Sequence, residues 1–208
     1  MISLAQFPLQ IVVFTHEIIP LHIFEPRYRQ LIADCKTENT AFGITPVIDG
    51  TLQKFGTRMI LKSIDKSHAD GRMDISVEAI GTDQIKKFYE SLPGKSYGGA
   101  EITIWLAEGQ PDEKIAQQID HLMQELHMIL RTPTAKVPPE FKIHQVAHKI
   151  GFSLQEEYDL LTSRTIVDQQ KLILAQLEKI LPGIREIEEI KKRIALNGDW
   201  RHMIPPKF

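Results

Sequence analysis

PLHIFEPRYRQLI, residues 20–32, decides how the chain is read. An apolar run reaches Phe24, a polar cluster of Glu25, Pro26, Arg27 and Arg29 interrupts it, and Leu31 and Ile32 resume it. Pro26 suits the first position of a helix, because its missing N–H would have no helical partner there. Tyr28, Leu31, Ile32 and Cys35 then fall at i, i+3, i+4 and i+7, one apolar stripe. Asn39 and Gly43 bracket the end of that helix. Upstream, residues 7–14 and 18–24 are apolar and β-branched runs that read as buried strands, with Pro8 and Pro20 at strand starts or edges. The segment is therefore the corner where a strand becomes a helix. Glu25 meets the positive end of the helix dipole and stands four residues before Arg29, in reach of an i,i+4 pair. Tyr28 is expected to anchor the helix to the sheet.

Working outward, residues 56–81 read as a β-hairpin around Asp70-Gly71, a dipeptide suited to a type I′ turn, with Met73, Ile75 and Val77 on one face. Further strands are predicted at 84–89 and 100–106, the latter with Ala100, Ile102, Ile104 and Leu106 sharing a face. Short strands at this spacing predict a small barrel or rolled sheet.

From residue 111 the period changes from two to about 3.6. Ile115, Ile119, Leu122, Leu126 and Ile129 stripe one helix, with Asp112 and Glu113 at its N-terminal end. Pro133, Pro138 and Pro139 exclude helix from 131–140, and a helix is expected to end near Gly151. Ser153 and Glu156 form a capping-box pattern that opens the next helix. Residues 165–181 form another, stopped by Pro182-Gly183, and residues 184–196 carry a narrow stripe of Ile184, Ile187, Ile190 and Ile194. The expected division is a β-rich part over residues 1–110 and a helical part over 111–208.

The chain is 208 residues long, 42% hydrophobic and 25% charged, as a globular chain of one or two domains is. Its formal net charge of −2 provides no global basic field for nucleic acid or an anionic membrane. One cysteine, Cys35, excludes an intrachain disulfide and a thiolate metal cluster. The opening MISLAQFPLQ lacks a basic signal-peptide region, and no apolar run is long enough to span a bilayer. A cytoplasmic location is the default expectation.

Three short patterns imitate catalytic motifs. GKSYG, residues 94–98, matches G-x-S-x-G, but Ser96 leads into a strand and not a helix, so a loop is the plainer reading of this serine-hydrolase pattern. LPGKS, residues 92–96, ends like a phosphate loop, yet Tyr89 stands where the first glycine is required. HQVAH, residues 144–148, spaces His144 and His148 as zinc ligands on a helix, but Gln145 cannot act as a general base and two ligands leave the shell half empty, even with Glu156 and Glu157 downstream. Lys86 and Lys87 are adjacent and face opposite sides of a strand, and Trp105 reads as a second core layer. No cofactor and no metal are expected.

The first residues carry a resemblance. Phe7-Pro8-Leu9, Pro20-Leu21, His22-Ile23-Phe24-Glu25 and Pro26-Arg27-Tyr28-Arg29, followed by Phe42-Gly43-Ile44, Gly56-Thr57, Asp70-Gly71-Arg72 and Gly81, resemble in order the pattern of the Lon N-terminal domain family, the substrate-binding domain of ATP-dependent protease La. The helical part, with Leu154–Leu161, is similar to that family's helical subdomain, so the resemblance runs to about residue 181. GTDQIKKF (81–88) departs from the usual basic or aromatic residue after the glycine, and the tail from Asn197 has no counterpart. The resemblance implies an α+β fold, a PUA-like pseudo-β-barrel followed by an α-helical bundle. It also implies a non-catalytic module that binds unfolded or hydrophobic polypeptide segments or a protease partner, without the ATPase and Ser-Lys protease modules of full-length Lon. Pro20, His22, Phe24, Glu25, Pro26, Arg27, Tyr28, Arg29, Gly56, Asp70, Gly71 and Arg72 would then be mainly structural. An RNA-binding PUA-like protein is the alternative, and a hydrolase using Ser96 the second. Net charge disfavours the former.

Overall fold

The computed structural model describes residues 2–130 and 146–198. Strands β1 (Ile2–Leu9) and β3 (Phe42–Ile48) pair in parallel, with Gln6 opposite Gly43. The other edge of β1 takes β7 (Gly99–Trp105) in the antiparallel sense. From β7 the sheet passes to β6 (Met73–Tyr89), to β5 (Phe55–Ser67) and back to β3, so the strands close into a ring. Strand β2 (Ile18–Ile23) lies along the first half of β6, and β4 (Thr51–Leu52) along the end of β3. The fold is mixed α+β, as the sequence pattern implies.

Helix α1 (Pro26–Glu38) begins at the predicted proline and ends at Asn39, which takes the left-handed conformation and donates its N–H to the Cys35 carbonyl. Its predicted stripe of Tyr28, Leu31, Ile32 and Cys35 is buried, in one core with Phe7, Ile23, Phe42, Ile44, Met59, Ile75 and Val77. Helix α3 (Leu154–Thr162) carries the expected capping box at Ser153 and Glu156. Its Tyr158 hydroxyl accepts the backbone N–H groups of Lys54 and Phe55 at 3.2 Å each.

The described residues fall into two compact units, residues 2–109 with 146–169, and residues 110–130 with 170–198. The second is helical. Helix α2 (Glu113–Leu130) and the matching stretch of α4 (Ile166–Gly198) bury Ile119, Met123, Leu126, Ile173, Leu177 and Leu181. Asp112 caps α2 by accepting the N–H groups of Lys114 and Ile115, and the Gln170 amide clamps the Asp112 backbone from both sides. Arg185 donates two hydrogen bonds to Glu125, which holds that carboxyl below its usual range. Among the described residues no helix is long and apolar enough to cross a membrane.

Several local expectations are corrected. The strand expected at 7–14 lies at Ile2–Leu9, because β1 takes its register from β3 and β7. Val12, Val13 and Phe14 are buried, but as an irregular segment, with the Val13 carbonyl capped by the Thr57 hydroxyl at 2.5 Å. The strand at 84–89 is the second half of a single long β6. Ile104 and Leu106 are exposed, since the end of β7 runs past the core. Pro182 does not stop α4; it sits inside one continuous helix that runs on to Gly198. Ile187, Ile190 and Ile194 are nevertheless exposed. His148 lies on a single 3-10 turn (Ala147–Lys149) and not on an α-helix. His144, Gln145, the proline-rich 131–140 segment and the tail from Asp199 lie outside the described residues.

Two charged clusters within the first unit, one around Asp83 and one around His148, couple burial to charge. Arg58 of β5 grips the almost fully buried Asp83 of β6 through two hydrogen bonds. Removing the guanidinium leaves a buried charge uncompensated, so Arg58→Ala should lower the unfolding free energy by about 3–5 kcal/mol in urea titrations. A loss under about 1 kcal/mol would mean that water reaches Asp83.

His148 points Nε2 at Glu17 (3.1 Å) and Nδ1 at Glu157 (2.6 Å), and these carboxylates, Glu17 first, push its pKa up to about 9. The folded state therefore binds the proton more tightly than the unfolded chain, whose histidine titrates near 6.5. The resulting stabilisation is complete below that lower value and disappears as pH rises through about 9. Thermal melts of the wild type and His148→Ala should differ most near pH 6 and converge by about pH 10; a constant difference would contradict the assignment.

Candidate functional site

The polar corner read from residues 24–29 meets the tip of the β5–β6 hairpin. Glu25 takes an extended conformation at the N-cap, and its carbonyl accepts the N–H groups of Tyr28 and Arg29. Its side chain does not pair with Arg29. It pairs with Arg27, whose Nε and Nη2 lie 2.9 and 2.7 Å from Oε2. The Arg27 guanidinium covers the Tyr28 ring at 4.7 Å, and that ring stacks on Phe7 of β1 at 3.9 Å. Burial raises the Tyr28 pKa.

Arg29 is thereby free to cross to the hairpin, where it donates to the Asp70 carbonyl at 2.9 Å. The turn it reaches is not type I′, because Asp70 has a negative φ while Gly71 stands at +83°. Gly71 donates to the His68 carbonyl and His68 to the Arg72 carbonyl, the pattern of a type I turn closed by a glycine bulge. A side chain on Gly71 would be strained in conformation and would also overlap the Arg29 guanidinium. Asp70 accepts from the Arg72 backbone N–H and guanidinium, and these bonds hold its carboxyl below the usual range.

Beside the turn, two histidines converge on one carboxylate. His22 of β2 stands opposite Asp74 of β6 in the strand register. Its Nδ1 lies 2.5 Å from Asp74 Oδ1, and His68 Nε2 lies 2.9 Å from Oδ2. The two rings meet edge-on at 5.9 Å, and His22 stacks against Phe24 at 6.1 Å. Hydrogen bonds from His22 and then His68 hold the Asp74 carboxyl low. One donor atom from each of the three residues lies within 4.8 Å of the others, so the trio offers two imidazole nitrogens and a carboxylate oxygen to a cation.

Of the residues singled out in the sequence, His22, Phe24, Glu25, Pro26, Arg27, Tyr28, Arg29, Asp70, Gly71 and Arg72 belong to this corner. Pro20 lies two residues upstream on β2, opposite Ser76. Gly56 is elsewhere, on β5, where a Cβ would stand 2.6 Å from the Ile44 carbonyl oxygen. His68 and Asp74 escaped the sequence reading. They are six residues apart across a turn, but only the β2–β6 register brings His22 to them.

The catalytic lookalikes find other partners. Ser96 lies in the loop between β6 and β7, and both its hydroxyl and its N–H donate to Gln30 of α1, at 2.5 and 2.9 Å. Lys95 and Tyr97 both reach Asp34 of the same helix, so GKSYG fastens the loop to α1. Lys86 donates to Gln84, while Lys87 covers the Tyr89 ring. Trp105 meets Phe55 edge-on, and its indole nitrogen is buried with no hydrogen-bond partner among the described residues.

The chain has relatives of known structure. A Lon N-terminal domain protein from Xanthomonas campestris superposes with a TM-score of 0.66 at 21% identity, covering 84% of this chain and 98% of its own. The N-terminal domain of the Mycobacterium avium complex Lon protease gives 0.63 at 12% identity, covering 86% and 100%. No curated protein sequence matches. Residues 3–179 match the family described as the ATP-dependent protease La (LON) substrate-binding domain, and with most of its length inside that match the chain belongs to this family.

Proposed function

We propose that this chain is a polypeptide-binding module that captures unfolded or apolar segments, as an adaptor or regulator in protein quality control. The observation that carries the reading is a set of exposed apolar side chains, on the outer face of β2 and β6 and just past the end of β2. Ile18, Phe24 and Ile80 are 60%, 59% and 43% exposed, with Pro20 between the first two. The register supports the alignment. Ile18, Pro20 and His22 stand opposite Glu78, Ser76 and Asp74, so these side chains share the face turned away from buried Ile75, Val77 and Ala79.

Among the described residues β2 pairs with β6 alone. Added-strand binding along its other edge is weakened by Pro20, which has no N–H to donate. Contact with these apolar side chains is therefore the favoured mode, with backbone pairing secondary. The Ser96–Gln30 bonds and the membership of a substrate-binding family favour binding over hydrolysis.

Fluorescence anisotropy with labelled, reduced and carboxymethylated lactalbumin tests the reading. Each exposed side chain covered by a ligand is worth about 1–2 kcal/mol. The double variant Ile18→Ser, Phe24→Ser loses about 2–4 kcal/mol and should then bind roughly thirtyfold to several hundredfold more weakly while keeping its far-UV circular dichroism. Equal binding by wild type and variant would exclude this face.

A further inference from the structure

We propose that His22, His68 and Asp74 form a binding site for a divalent transition-metal ion of the zinc class. The donors are His22 Nδ1, His68 Nε2 and one Asp74 carboxylate oxygen. This departs from the sequence-based expectation of no metal, which weighed His144 and His148 with Glu156 and Glu157 downstream. His148 is engaged by Glu17 and Glu157.

The donor set fits such an ion. Two imidazoles with a carboxylate suit zinc, cobalt or nickel, whereas calcium and magnesium prefer oxygen donors throughout. Three protein ligands with water in the fourth position make a tetrahedral shell. Side-chain exposures of 45% for His22, 25% for His68 and 40% for Asp74 leave room for that water and for entry of the ion.

The spacing of the donors fits as well. In a tetrahedral zinc shell neighbouring donors stand about 3.3 Å apart, given bond lengths near 2.0–2.1 Å. The two nitrogens already lie 2.5 and 2.9 Å from the Asp74 oxygens, and all three donor atoms fall within 4.8 Å. Small rotations of exposed side chains bring them to that spacing. Each imidazole now faces the carboxylate through a hydrogen bond, and an ion would take the place of the bridging protons.

The donors are also held in place by the fold. His22 and Asp74 are fixed opposite each other by the β2–β6 ladder. His68 is fixed by its backbone bond across the turn to Arg72, and the turn is held by Arg29. Donors mounted on strands and a braced turn lose little freedom on binding. Asp65 adds a second carboxylate to this face, held by Ser76, which neighbours Asp74 on the outer side of β6.

The test uses the full chain purified without a polyhistidine tag. Zinc is titrated calorimetrically, and cobalt(II) is titrated separately with its visible absorption as the readout. The expected result is saturation at one ion per chain, with intense cobalt bands of a four-coordinate site and a rise in melting temperature with zinc. His22→Ala, His68→Gln and Asp74→Asn should each weaken binding roughly tenfold or more, since two remaining ligands make a poor site. His121→Ala, on α2, should leave it unchanged. Circular dichroism on each variant separates loss of a ligand from loss of fold. Absence of saturable binding by the wild type, or equal binding by all three folded ligand variants, would overturn the site.

Discussion

Closure of the strand ring rests on Gln6. This side chain is buried on β1 and lies over Gly43, its partner in the parallel β1–β3 pairing. Any side chain at Gly43 would occupy the same space. The Gln6 amide oxygen accepts the Thr45 hydroxyl at 2.7 Å, and its nitrogen faces the Leu4 carbonyl at 3.4 Å. A buried amide without such partners is strongly unfavourable, so the register of β1 against β3 is restricted. The next residue, Phe7, receives Tyr28, and that stack sets the entry of α1. From that entry Arg29 reaches the hairpin turn beside His68.

Much of the fold was legible because it follows from local chemistry. Pro26 and the Tyr28-Leu31-Ile32-Cys35 stripe gave α1, Asn39 its left-handed end, and Ser153 with Glu156 the cap of α3. These signals operate within one or two turns of chain. The errors arose where distant partners decide. The apolar run at 11–14 has a strand's composition, but its backbone is bonded to the Thr57 hydroxyl and to Glu17, outside any ladder. Asp70-Gly71 has the composition of a two-residue turn, but the His68–Arg72 bond makes a longer one. Pro182 looks like a terminator because proline opposes helix locally, yet α4 continues through it, and Arg185 in the next turn binds Glu125 of α2.

The candidate site divides along the same line. EPRYR and DGR were visible as motifs, and their meeting is what the fold adds. Glu25 and Arg29 have helical spacing, but Arg27 is nearer to Glu25 once that residue is extended at the N-cap, and Arg29 is released to a partner 41 residues away. His22 and Asp74 are 52 residues apart, and no local pattern links them. Only correct pairing of β2 with β6 puts imidazole and carboxylate face to face. A histidine on an exposed strand position carries little information until the opposite strand is known.

The two-sided pairing of β1 has a consequence for synthesis. The ribosome makes β1 before β3, which follows within some tens of residues, and Ile102, the register partner of Ile2, emerges 100 residues after it. At about 5–20 residues per second the wait for β7 is about 5–20 s. Contacts of this range raise the contact order and slow the final closure. During that interval Leu4 and Phe7, both buried in the finished ring, lack part of their cover. Until β7 arrives, the nascent chain presents the apolar surface that the finished ring conceals.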